Sequence, residues 1–198
     1  SHKGSYGTAG LIGGSAAYPG AIALAAEGAI RSGAGLVRVM TSSEAAGSVL
    51  ARVPEAIVAG GLSADVDFGG LEAILAGPGL GRDPETRRLV ARLLREAACP
   101  LVLDADAIAV LAGKPEAIQG SASPVILTPH PGELALLLGT DTAAIQRDRQ
   151  AAAREAADRT GAIVVLKGAG TLVARAGEPA WLNLTGNPGM ACGGSGDV

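Results

Sequence analysis

Short β-rich runs alternate with helical ones along the chain, and each change of type is marked by glycine or proline. The strand candidates are "AGLIGG" (9–14), "GLVRVMT" (35–41), "EAILAG" (72–77), "PLVLDAD" (100–106), "PVILTP" (124–129) and "AIVVLKG" (162–168), followed by "TLVARA" and "PAWLNLTG", which read as a hairpin. Between them lie helical candidates at 19–32, 43–52, 84–98, 131–138 and 143–159. In "PETRRLVARLLREAA", Pro84 suits the first helical position, and Leu89, Val90, Leu93, Leu94 and Ala97 recur at helical spacing, so this helix lays one face on a sheet. Strand, helix and strand repeated in this way close as right-handed parallel crossovers. The expected fold is a three-layer α/β/α sandwich around a central, mostly parallel sheet.

The material for the core agrees with that architecture. The chain has 198 residues, enough for one domain spanning 1–198 with a full core, and no linker or internal repeat divides it. Hydrophobic residues make up 48%, yet there are one Phe, one Trp and two Tyr, so the core is built from Ala, Val, Ile and Leu. Cores of that kind belong to helices packed on parallel strands. A net charge of -3 with no Lys/Arg-rich block argues against a nucleic-acid surface. Cys99 and Cys192 stand far apart without a second pair, which fits neither a zinc site nor a disulfide framework, and a reducing cytoplasm is expected. The longest apolar stretch, "PGAIALAAEGAI", is interrupted by Glu27 and falls short of the roughly 20 residues of a membrane span. The opening "SHKGSYG" does not read as a signal peptide, so none is expected.

In doubly wound folds, ligands sit beyond the carboxyl ends of the strands, so the loops that follow each strand are the place to look for chemistry. These loops read "GGSAAYPGA", "GPGLG", "DADA", "TPHPGE", "KGAGT" and "GNPGMACGGSGD". Each has two readings. The glycines of "GPGLG" either make a tight turn or admit a ligand, and they match neither a dinucleotide fingerprint nor a Walker phosphate loop. Asp104 and Asp106 either cap the following helix or take part in chemistry. His130, between Pro129 and Pro131, is either a turn residue or a rim ligand. Lys167 is either a solvated strand end or the first residue of a loop whose glycines let a backbone approach a ligand.

The closing loop is the most informative. A Gly-Gly-Ser-Gly run before Asp197 can turn successive N–H groups toward one point, as in the anion nest at a helix N-terminus. A carboxylate placed beside a phosphate is repulsive unless it has work to do. That work is the removal of a proton from a hydroxyl as the hydroxyl attacks a phosphoryl group.

Taken in order, "HKGSYG", "LIGGSAAYPGAIALAAEGAIRSGAGLVRV", "AGPGLG", "LDADAI", "TPHPGE", "LKGAGT" and "GNPGMACGGSGDV" resemble the NAD(P)H-hydrate dehydratase family, ADP- or ATP-dependent repair enzymes with a ribokinase-like fold. The resemblance runs from His2 to Val198. It implies that NADH or NADPH hydrated on the nicotinamide ring is restored at the expense of a nucleotide phosphate. Asp197 would be the catalytic base, and Mg²⁺ would accompany the ADP or ATP. The hydrate contacts carry over to Ala21, Gly79, His130 and Asp197, with Gly81 as the alternative match in the same loop. The adenine-nucleotide contacts carry over to Lys167, Gly168, Ala169, Gly170, Thr171 and Gly196. Gly193, Gly194, Ser195 and Gly196 would form the anion hole for the phosphate in transfer, and Glu133 would orient Mg²⁺.

The family commonly has Thr at Cys192, a small-for-small change. It also continues past the aspartate with a helix that completes the anion hole, so the sequence reads as truncated there. Many members carry an epimerase domain upstream, and members assemble into symmetric oligomers, so a homotetramer is expected. Two other readings stay open. One is a kinase of the same fold acting on a thiazole or pyrimidine alcohol, against which "HKGSYG" and "TPHPGE" argue. The other is a non-catalytic nucleotide-binding module, against which "GGSGD" argues.

Overall fold

Among the described residues, nine strands form one sheet in the order β3-β2-β1-β4-β5-β6-β7-β8-β9. A computed structural model describes residues 6–198, so the first residues of the "HKGSYG" segment lie outside it. The chain begins with β1 (Thr8–Ile12), α1 (Pro19–Arg31), β2 (Leu36–Met40), α2 (Ser43–Arg52), β3 (Ile57–Val58) and β4 (Ala73–Ala76). It continues through α3 (Pro84–Glu96), β5 (Leu101–Leu103), α4 (Ala105–Ala109), β6 (Val125–Leu127), α5 (Pro131–Leu138), α6 (Thr142–Arg147) and α7 (Arg149–Thr160). Strands β7 (Ile163–Leu166), β8 (Thr171–Ala174) and β9 (Trp181–Asn183) close the sheet. Strands β1 to β7 pair in parallel, and β8 and β9 add the expected antiparallel hairpin at one edge.

Alternation along the strands separates two cores. Leu11, Val37 and Val39 face α1 and α2 together with Ile22, Ala26 and Val49. Ile12, Ile74, Leu101, Leu103, Leu127, Val164 and Leu166 face the other way and pack with Leu93, Ile108, Leu134 and Ala153 from the remaining helices. Side chains two apart on a strand share a face, so β1, β2 and β4 feed both cores, while the buried residues of β5, β6 and β7 all belong to the second. This is the three-layer α/β/α sandwich with a mostly parallel sheet. Pro84 is the first residue of α3, and Asp83 accepts from Thr86 N at 2.8 Å, so both its terminus and its buried face follow the sequence pattern.

The departures are local. The run 100–106 is strand only to Leu103, because Ala105 and Asp106 already belong to the short helix α4. The two-residue β3 carries too little pattern to be read. The single helix expected over 143–159 is two, because Asp148 leaves the helical conformation and caps α7 by accepting from Ala151 N at 2.9 Å.

Candidate functional site

The strand order places a topological switch between β1 and β4. From β1 the chain winds outward to β3, then returns to β4 and winds the other way. The loops at the carboxyl ends of β1 and β4 therefore diverge and leave a crevice. They are tied across it: Gly14 N donates to Pro78 O at 2.9 Å, and Ser15 N donates to Gly79 O at 2.6 Å. Gly79 has φ of +61°, and a Cβ there would stand 2.7 Å from Tyr18 O and 3.3 Å from Ala21 Cβ. No side chain fits, and the two positions 58 residues apart in sequence, Ala21 and Gly79, become neighbours. Gly81 N donates to Asp106 Oδ2 at 2.9 Å, and Asp106 Oδ1 accepts from Arg82 Nε at 2.7 Å. Asp106 thus fixes the "GPGLG" loop.

Asp104 occupies the position before α4, yet its side chain makes no capping bond. Its Oδ1 instead accepts from Lys167 Nζ at 2.7 Å and from Thr128 Oγ1 at 2.8 Å. A carboxylate this buried requires such partners. Thr128 was not singled out by the sequence, although it opens "TPHPGE"; its strand-end position is the signal that could have found it. Lys167 N also donates to Pro129 O at 2.9 Å, joining the "KGAGT" loop to the histidine loop. Within that loop, Thr171 Oγ1 donates to Gly168 O at 3.1 Å, while Gly168 and Ala169 remain exposed.

His130 proves to be a helix cap and a rim residue together. Its Nδ1 accepts from Gly132 N at 3.0 Å and Glu133 N at 3.3 Å, while Glu133 Oε2 accepts from His130 N at 2.8 Å. This reciprocal capping box starts α5 and leaves the imidazole more than half exposed at the rim. Glu133 is buried, and burial pushes its pKa up against the opposing pull of the His130 N–H and the Lys167 charge. Among the described residues, no group of three or more His, Cys, Asp or Glu side chains converges as a metal cage.

The closing loop lies against α1, where a Cβ on Gly194 would come 2.7 Å from Leu24 Cδ1. A Cβ on Gly196 would stand 3.3 Å from Lys167 Nζ, so the closing loop passes close to the ammonium group. Inside the loop, Ser195 N donates to Cys192 O at 3.4 Å and Asp197 N to Gly194 O at 3.1 Å, while Ser195 Oγ donates to Met190 O at 2.7 Å. Gly193 is exposed. Asp197 is partly buried, and its pKa is raised, first by that burial and then by the charge of Asp104, with Lys167 opposing. Asp104, Thr128, Lys167, Gly196 and Asp197 line one cavity of about 440 Å³ whose floor includes Leu75, Val102 and Val165. A carboxylate with raised proton affinity at the edge of an apolar cavity, beside a lysine, is equipped to take a proton from a hydroxyl. No helix is long and apolar enough to cross a membrane among the described residues.

Residues 9–198 match the family model described as NAD(P)H-hydrate dehydratase. The chain is 42% identical over its whole length to the bifunctional NAD(P)H-hydrate repair enzyme of Moorella thermoacetica and 45% identical to that of Gloeobacter violaceus, covering 40% of each. It thus spans about 40% of the length of the curated relatives it matches. Among solved structures it resembles the ADP/ATP-dependent NAD(P)H-hydrate dehydratase of Bacillus subtilis co-crystallized with ATP/Mg²⁺, with a TM-score of 0.91 and 40% identity over 100% of this chain and 70% of that one. A ribokinase-like superfamily protein of Enterococcus faecalis superimposes with a TM-score of 0.81 at 32% identity, over 100% of this chain and 69% of that one.

Proposed function

Because the chain belongs to the NAD(P)H-hydrate dehydratase family, we propose that it restores hydrated NADH and NADPH to the reduced dinucleotides by using a phosphate of ADP or ATP. Hydroxide is a poor leaving group and phosphate is a good one. Asp197 takes the proton of the ring hydroxyl as its oxygen attacks the terminal phosphorus, and the shortened nucleotide departs. The carbon–oxygen bond of the phosphate ester then breaks, pushed by the ring nitrogen's lone pair. A ring proton is lost, and inorganic phosphate leaves. Kinase-like chemistry thereby ends in a lyase product.

The observation that carries this reading is the Asp197 carboxylate, held in the cavity with its proton affinity raised and Lys167 close by. In this proposal the hydrate rests against Ala21, Gly79 and His130, with Gly81 bordering the same loop. The nucleotide follows Lys167, Gly168, Ala169, Gly170, Thr171 and Gly196, and the backbone of Gly193, Gly194, Ser195 and Gly196 receives the phosphate in transfer. Mg²⁺, present with ATP in the crystals of the Bacillus subtilis protein, would neutralise phosphate charge. Glu133 supplies one buried carboxylate toward it, and since its Oε2 already accepts the His130 N–H, contact through water suits it better than direct ligation. The same proposal includes a single domain over 1–198, a cytoplasmic homotetramer and an epimerase domain in the same polypeptide, the last supported by the bifunctional relatives.

The test is recovery of reduced-nicotinamide absorbance when hydrated NADH is mixed with the protein, Mg²⁺ and either ADP or ATP. Recovery that vanishes in Asp197→Asn supports the reading and identifies the donor. A folded, nucleotide-binding protein that gives no recovery with either nucleotide overturns it and leaves phosphorylation of a small alcohol as the reaction to assay.

A further inference from the structure

The first residue of α7 reaches beneath the loop that follows β7. Arg149 Nη2 donates to Leu166 O, Lys167 O and Gly170 O, each at 3.3 Å, and Nη1 is within 3.4 Å of Gln146 Oε1. The guanidinium therefore sits under the exposed turn Gly168–Ala169, facing three carbonyls that converge on it. Two features make that convergence possible. Gly168 has φ of +141° and Gly170 +66°, and a Cβ on Gly168 would stand 2.7 Å from Arg149 Nη1. Glycine at 168 is favoured by the backbone conformation, and a side chain there would displace the guanidinium.

A planar trans peptide directs its C=O and N–H to opposite sides. With Lys167 O drawn inward to Arg149, the N–H of Gly168 must face outward, and with Gly170 O drawn inward, that of Thr171 does the same. The neighbouring peptide obeys the rule: Leu166 O faces Arg149 while Lys167 N donates away from it, to Pro129 O at 2.9 Å. The guanidinium also sets a fixed positive charge behind the loop, which favours an anion on its outer side.

We propose that Arg149 is a positioning residue for nucleotide binding, which holds the 166–170 backbone so that its outward N–H groups meet the ADP or ATP. The inference rests on the reading that residues 167–171 contact the nucleotide. Arg149 itself touches no substrate. It acts through the loop, where one guanidinium nitrogen, Nη2, shares its two hydrogens among the three carbonyls while Nη1 faces Gln146.

The experiment compares Arg149→Ala, Arg149→Lys and Gly168→Ala with the wild type by direct titration of Mg-ATP and Mg-ADP, by thermal melting, and by separate kcat and KM for hydrated NADH repair. We expect nucleotide Kd and KM to rise about tenfold or more in Arg149→Ala, the scale of losing hydrogen bonds to a charged group. Arg149→Lys should recover part of that loss, and Gly168→Ala, which alters a residue of the nucleotide loop itself, serves as the reference for direct loss of that contact. In the Arg149 variants, affinity for the hydrate and kcat at saturating nucleotide should stay within about twofold, since only the positioning of the loop is lost. Nucleotide Kd within twofold of wild type in folded Arg149→Ala overturns the proposal. So does a loss shared equally by nucleotide, hydrate and melting temperature across Arg149→Ala and Arg149→Lys, which marks a merely structural role. If the wild type binds Mg-ATP but does not repair the hydrate, the dehydratase reading falls while the nucleotide titrations still decide the role of Arg149.

Discussion

Lys167 and Asp104, 63 residues apart in sequence, meet through a 2.7 Å ion pair at the carboxyl edge of the sheet, with the Asp104 side chain almost fully enclosed. The pair fixes the ammonium group beneath Gly196, where the closing loop ends in Asp197. Its consequences are electrostatic as well as steric. Asp104 acts on Asp197 as a like charge, and Lys167 acts as an opposite one.

Replacing Asp104 with Asn keeps the shape and removes the charge. Asp197, as the proposed base, must be ionised to accept a proton, so with its raised pKa the acid limb of the pH–rate profile is expected above the usual Asp value of about 3.9. In Asp104→Asn the repulsion disappears and Lys167 is freed toward Asp197, so both changes move that limb to lower pH. Stability should fall by about 1–3 kcal/mol, since a partly buried lysine loses its charged acceptor. A pH–rate series and a urea titration check the two effects.

Asp197→Asn should separate activity from stability. A carboxyl whose folded-state pKa lies above its unfolded value contributes stability that is full below the unfolded pKa and is lost as pH rises through the folded one. Asp197 is of this kind, because burial and Asp104 raise it. At neutral pH, Asp197→Asn is therefore expected to be inactive yet to melt no lower than wild type, and any gain should shrink as pH falls toward the ordinary Asp range. Melting curves across pH measure this directly.

Glu133 gives the same sign with a different cause, since burial is its largest influence. Glu133→Gln retains an oxygen for the His130 N–H and avoids the buried charge, so at neutral pH its melting temperature should equal or exceed that of wild type. Glu133→Ala keeps the His130 cap but removes the reciprocal acceptor of the His130 N–H, and should cost about 0.5–2 kcal/mol. If Glu133 also orients Mg²⁺, both variants will need more Mg²⁺ for half-maximal repair.

Gly79→Ala meets two obstacles, a φ of +61° and a carbonyl 2.7 Å from the new Cβ. A loss of about 1–3 kcal/mol in stability is expected. Because the obstruction lies at Tyr18 and Ala21, KM for the hydrate should rise while nucleotide affinity is kept. Separate titrations of the two ligands check the distinction.

Much of this molecule was legible where the evidence is local. The bounds of α5 follow from Pro131 at its start and Gly139 at its end, and the buried stripe of α3 from its helical spacing. Short elements were not legible. The two residues of β3 have no period to read, and α4 follows β5 so closely that "LVLDADAIA" carries one apolar pattern through both. The division of α6 from α7 depends on Asp148 preferring to cap over continuing the helix, a choice that the alanine-rich run on either side conceals.

The sequence by itself determined the layered fold, the loops proposed to carry the chemistry and the resemblance that named its candidates, because periodicity, turn residues and loop motifs are all written over short stretches of chain. Only the tertiary structure decided that Asp104 binds Lys167 and Thr128 instead of capping α4, that Ala21 lies beside Gly79, and that Arg149 gathers the carbonyls beneath Gly168. Each of these joins residues from different crossover units. Their meeting depends on which strands lie side by side, and strand order is set by packing the whole sheet at once.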